Sequence, residues 1–173
     1  MNVDTALQEA LAAEHAAVYA YGVIGAMVTG ARRETARQGF AAHRTRRDQI
    51  RTVIVRRGGK PIEADPVYAL PHPVGDAASA IRLAAFVEER MVASYLELVA
   101  ADDEGVRRFA ALAMQDCVTR GYGWRPTVTG AFPGMPGAQG ATSAGTPQGT
   151  APAQSSSAPP PAADPSPVPS AAP

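Results

Sequence analysis

The sequence is poor in cysteine, in lysine and in long apolar runs. Its single cysteine, Cys117, excludes an intrachain disulfide. Its single lysine, Lys60, stands against fifteen arginines, and with the heavy use of alanine this reads as the imprint of a GC-rich genome. No window approaches the ~18 uninterrupted apolar residues that a membrane-spanning helix needs. The N-terminus lacks a basic region followed by an apolar core and a small-residue cleavage site, so no signal peptide is expected and the cytoplasm is the expected location.

Two compositions share the 173 residues. Residues 1–133 are expected to fold as one domain, Ala-rich and charged up to about residue 125. Residues 134–173 are mostly Pro, Ala, Gly, Ser, Thr and Gln, with ten prolines in forty positions and Asp164 as the only charge. Such a segment has almost nothing to bury against its ordering entropy, so a disordered tail with local polyproline II character is expected there.

Four helical segments are expected before the tail. The first runs from about Asn2 or Asp4 to Val28 and stops at Thr29-Gly30. The second runs from about Arg32 to Arg57 and stops at Gly58-Gly59-Lys60-Pro61. The third starts at an Asp76 cap and runs to about Ala101; the fourth follows Asp102 or Asp103 and ends near Gly121 or Gly123, with Trp124 opening a loop. The short first and third links make two antiparallel hairpins. The connection over 58–75 is about eighteen residues, with prolines at 61, 66, 71 and 73. It can extend ~60 Å, against ~39 Å for a 26-residue helix. It can therefore cross the whole bundle and start the third helix parallel to the second.

Each segment carries an ionisable residue where an apolar one is expected. Glu14 falls in the stripe Val3, Leu7, Leu11, Val18, Tyr21, Val28. His43 falls in the run Phe40, Arg47, Ile50, Ile54. Glu88 falls in Ile81, Ala85, Val92, Tyr95, Val99, and Asp116 in Phe109, Leu112, Arg120. A buried carboxylate is costly unless paired. The pattern therefore predicts a polar centre at mid-bundle, with Arg47 as the counter-charge, because a planar guanidinium bonds both carboxylate oxygens. A faint repeat sets Leu7, Leu11, Glu14, Val18, Tyr21 against Ile81, Ala85, Glu88, Val92, Tyr95, 74 residues on.

The segments ALAAEHAAVYAYGVIGA (10–26), AAHRTRRDQI (41–50), YALPHPV (68–74) and FVEERMVASYLELVA (86–100) resemble the ferritin-like superfamily, and most closely a bacterial ferritin-like domain family of unknown function. The resemblance covers about residues 3–135. It implies an all-α ferritin-like four-helix bundle, two hairpins joined by one long crossover. Di-metal members of that superfamily use one Glu on helices 1 and 3 and a Glu-x-x-His on helices 2 and 4. Glu14 and Glu88 match the single glutamates, and Tyr21 resembles a tyrosine that ferritins often place two turns after the first. Helix 2 reads Phe40-Ala-Ala-His43 and helix 4 reads Asp116-Cys-Val-Thr119, so each half lacks one ligand.

Glu14, His43, Glu88 and Asp116 are thus the candidate metal residues, with Arg47, Tyr21 and Tyr95 in support. The favoured expectation is a non-enzymatic bundle of undefined role with a degenerate centre and no cofactor. The alternative is a single Fe or Mn ion held there. His15, one step off the stripe, is expected at the surface or a helix boundary. His72 is expected to fasten the crossover, and Cys117 to be an inert core thiol. Residues 31–57 hold nine arginines against Glu34 and Asp48, a charge of +7 that the rest of the chain balances. That stripe could serve nucleic acid, but with little lysine and no pattern of interleaved aromatics, solvated or paired arginines are expected instead. Neither nucleic acid nor membrane is an expected partner; a homo-oligomer is left open.

Overall fold

Asn2 starts the fold: its side chain accepts from the Asp4 amide at 3.0 Å and caps α1, Val3–Met27. The structure, a computed structural model, describes residues 2–126. It is all-α, with α2 at Gly30–Arg56, α3 at Ala77–Val99 and α4 at Glu104–Trp124. The tail expected from residue 134 lies outside the described residues.

The helix ends follow local chemistry. Asp76 and Ser79 form a reciprocal capping box at the start of α3, and Asp103 caps α4 through the Val106 amide. At the end of α2 the Gly59 amide donates to the Ile54 carbonyl and the Gly58 amide to Val55, both at 2.9 Å. This is a Schellman closure, and it needs the positive φ of 82° that Gly58 supplies. The α1–α2 corner differs from expectation. Thr29 is already the cap of α2, and Gly30, at φ 55°, is that helix's first residue rather than the end of α1.

Side-chain pairs fix the helix directions. Glu14 meets His43 while Asp4 meets Arg57, so α1 and α2 are antiparallel. Tyr21 meets Glu88 while Tyr95 meets Glu14, so α1 and α3 are antiparallel too. Hence α3 runs parallel to α2, as the long link requires. Arg120 on Glu88 and Phe109 against Tyr95 make α4 antiparallel to α3. The crossover climbs along α1. Gln8 bonds the backbone of Lys60 and Ile62, His15 donates to the Ile62 carbonyl at 3.3 Å, and Tyr68 packs on Tyr19. His72 then ties it to the Ser79 carbonyl at the head of α3. His15 is therefore buried under the crossover rather than at the surface, because the link covers that side of α1.

The core is apolar at both ends and charged in the middle. Leu7, Leu11, Ile24, Ile50, Leu83 and Leu98 are fully buried, and so are Glu14, His43 and Glu88. Among the described residues every buried side-chain nitrogen or oxygen has a hydrogen-bond partner. Among the same residues no helix is long and apolar enough to cross a membrane.

Candidate functional site

His43 projects from α2 into the centre of the bundle and is completely buried. Its Nδ1 lies 2.8 Å from a Glu14 oxygen and its Nε2 lies 3.2 Å from a Glu88 oxygen. A carboxylate can only accept, so both ring nitrogens donate and the ring is an imidazolium. Burial opposes that charge, but the two carboxylates outweigh it and raise the His43 pKa above its ordinary value of 6.5.

The remaining oxygens are taken in turn. The Tyr95 hydroxyl donates to Glu14, and the Tyr21 hydroxyl donates to Glu88 at 2.5 Å. Trp124 Nε1 donates to the Tyr21 oxygen at 3.0 Å. Arg120 grips Glu88 through Nε at 2.9 Å and Nη2 at 3.3 Å, and Nη2 also lies 3.3 Å from Cys117 Sγ. Burial raises the Glu88 carboxyl, but His43 and Arg120 reverse this and hold it at about 2. Burial and the adjoining glutamates push both tyrosines up, so they stay protonated donors. Burial likewise raises the Cys117 thiol and leaves it inert. Two carboxylates face one imidazolium and one guanidinium, and the network is neutral.

Of the residues expected at the centre, Glu14, His43, Glu88, Tyr21 and Tyr95 come together there. Asp116 does not. Its side chain is 64% exposed, and it receives Arg46 from α2 at the bundle's edge. Arg47 is not the counter-charge either; it lies toward the surface against Asp48 at 2.8 Å. The physical reason is helix phase. After His43 the next inward position lies either three or four residues on. The structure takes three, so Arg46 is buried and Arg47 is not. On α4 the inward line is Val106, Ala110, Ala113, Cys117, Arg120, Trp124, one residue out of phase with the expected Phe109, Leu112, Asp116. Trp124 ends α4 as a buried residue instead of opening a loop.

The 74-residue repeat runs further than helices 1 and 3. Adding 74 takes Glu14 to Glu88, Tyr21 to Tyr95, His43 to Cys117 and Arg46 to Arg120. It takes the α1 cap Asn2 to the α3 cap Asp76, and the α2 cap Thr29 to the α4 cap Asp103. The two hairpins therefore match without insertion, and their tyrosines are exchanged, each donating to the other hairpin's glutamate. Continuing the repeat into helices 2 and 4 was the signal that would have chosen Arg46 over Arg47 and marked Arg120 as the counter-charge.

A di-metal centre needs carboxylates and imidazoles that converge on common points. The residues present do not fit one. His43 spends both nitrogens on carboxylates at opposite edges of its ring, Arg120 occupies Glu88, and the repeat sets Met114, rather than the expected Asp116, against Phe40 at the places of bridging glutamates. Among the described residues no three His, Cys, Asp or Glu side chains form a group that could hold an ion.

Fold and centre together define an all-α four-helix bundle closed by a Glu–His–Glu–Arg network. The chain belongs to the DUF4439 family, a domain of unknown function, whose model matches residues 6–137. It is similar to a conserved hypothetical protein from Mycobacterium tuberculosis of known crystal structure. The two share 31% identity and superpose with a TM-score of 0.69, over 72% of this chain and 96% of that one. No curated protein matches the chain.

Proposed function

We propose that this is a non-enzymatic, ferritin-like bundle that acts through binding or assembly, with an ion-pair network in place of a di-metal centre. The observation that carries the reading is the doubly bonded His43. Each of its nitrogens has a carboxylate partner, and Arg120 supplies the second positive charge that a metal would otherwise bring. The up–down–down–up topology, with one long crossover, supports the ferritin-like part of the reading. The experiment is elemental analysis of protein purified without chelator, with Glu14→Ala as a control. The reading expects well under one Fe, Mn or Zn per chain and a melting temperature that chelator leaves unchanged. Stoichiometric metal, lost in Glu14→Ala, would overturn it.

A second reading is a single Fe or Mn ion, favoured by the closeness of Glu14, His43 and Glu88. It requires His43 to surrender a proton and Arg120 to move off Glu88. The same analysis separates the two, since only this reading expects chelator to lower the melting temperature.

A further inference from the structure

A cavity of about 250 Å³ lies between α1, the crossover and α3, apart from the charged centre. Alanines line its α1 side, among them Ala13, Ala16, Ala17 and Ala20, where larger side chains would fill the space. Leu70 and Pro71 of the crossover line it with Phe86 and Met91 of α3, and Phe86 is 41% exposed. The walls are held in place, because the crossover is fastened through Gln8 on one side and His72 on the other.

Three polar side chains belong to this lining, Tyr68, Arg90 and Ser94, and the Ser94 hydroxyl donates to the Arg90 carbonyl at 3.1 Å. Among the described residues no Asp or Glu lines it. Arg90 is one of the lining residues, and its guanidinium has no acceptor among the described residues. Tyr68, held by its ring contact with Tyr19, accepts the Asp65 amide at 2.9 Å, and its hydroxyl proton has no acceptor among those residues. A mostly apolar chamber whose Arg90 and Tyr68 donors have no acceptor, and which has no acid, among the described residues is suited to an anion on an apolar body. A water-sized group takes ~30 Å³, so the chamber holds about eight heavy atoms, and the head group of a longer ligand reaches its open side.

We propose that this cavity binds a small amphiphilic anion, its apolar body against the α1 alanines and Phe86 and its carboxylate or equivalent head on Arg90 and Tyr68. This goes beyond the reading of the core and does not depend on it.

The test titrates the full chain with octanoate, octanol and octylamine by calorimetry. Octanoate should bind about tenfold more tightly than octanol, and octylamine more weakly than either. Arg90→Met, an exposed change that leaves the fold alone, should bring octanoate to the octanol level. Ala16→Leu should fill the chamber and remove binding of all three. The proposal is overturned if octanoate fails to bind at about millimolar concentration. It is equally overturned if octylamine binds as well as octanoate, if Arg90→Met changes nothing, or if a folded Ala16→Leu still binds.

Discussion

Cys117 stands in the second hairpin where His43 stands in the first, 74 residues earlier. The two places do different work. His43 bridges both glutamates, whereas Cys117 receives the guanidinium groups of Arg46 and Arg120 at 3.8 and 3.3 Å. One imidazolium serves two carboxylates, and the cation on the other side comes from Arg120. A pseudo-symmetric scaffold thus holds an asymmetric, neutral core.

Arg120→Met should damage that core far more than Arg47→Met. Removing Arg120 leaves Glu88 buried with one positive neighbour fewer, a loss of roughly 3–5 kcal/mol for a broken buried pair. Arg47→Met, which removes only a pairing with exposed Asp48, should cost about 0.5 kcal/mol or less. Urea denaturation of both variants checks this, and equal effects would contradict the assignment of Arg120.

Stability should peak at mildly acidic pH. Glu88 titrates at about 2 in the fold against an ordinary 4.5, so its contribution is present above 4.5 and lost as pH falls toward 2. That interval corresponds to about 3 kcal/mol. His43 is raised above 6.5, so its contribution is present below 6.5 and lost as pH rises through the folded value. The melting temperature should therefore be highest between about 4.5 and 6.5. His43→Gln should flatten the alkaline limb; a wild-type profile still rising above pH 8 would rule the scheme out.

Gly39 should not tolerate alanine. A Cβ there would lie 2.2 Å from the Tyr21 ring, which packs on α2 at that point. The ring would have to shift and loosen its bond to Glu88, at a cost of roughly 1–3 kcal/mol despite the better helix former. Gly22→Ala, where nothing lies within 4 Å of the new atom, should instead be neutral or stabilise by up to ~1 kcal/mol. Thermal melts of the two variants read the difference.

The Arg-rich helix α2 should not hold duplex DNA at about 0.15 M salt. Most of its arginines are engaged. Arg37 pairs with Glu34, Arg51 with Glu63 and Arg46 with Asp116, and Arg57, the residue that caps the helix, pairs with Asp4 and Asp103. Arg33 bonds the carbonyls of Gly25 and Val28, and Arg32 that of Gly123. Fluorescence anisotropy showing micromolar binding, with the steep salt dependence of phosphate contacts, would contradict this.

Much of the fold was readable because its signals were strong. The Asp76 and Asp103 caps, the Gly58-Gly59 stop and the long crossover fixed the helices and the parallel α2–α3 pair. Glu14, His43 and Glu88 stood out because a charge interrupts a run of large apolar residues. Helix 4 was harder. Its inward positions include Ala110, Ala113 and Cys117, whose small side chains hardly mark a face, while Phe109 and Leu112 suggest a different one. Leu112 is in fact 54% exposed. The choice of Arg47 over Arg46 turned on a step of four or three, which a helix of 3.6 residues per turn permits equally.

The protonation of His43 is the most direct test of the account. Nitrogen-15 NMR of the histidine rings near neutral pH should find both His43 nitrogens carrying protons in slow exchange with water, as a buried imidazolium between Glu14 and Glu88 requires. A His43 nitrogen without a proton, whether neutral or bound to a metal, would contradict it.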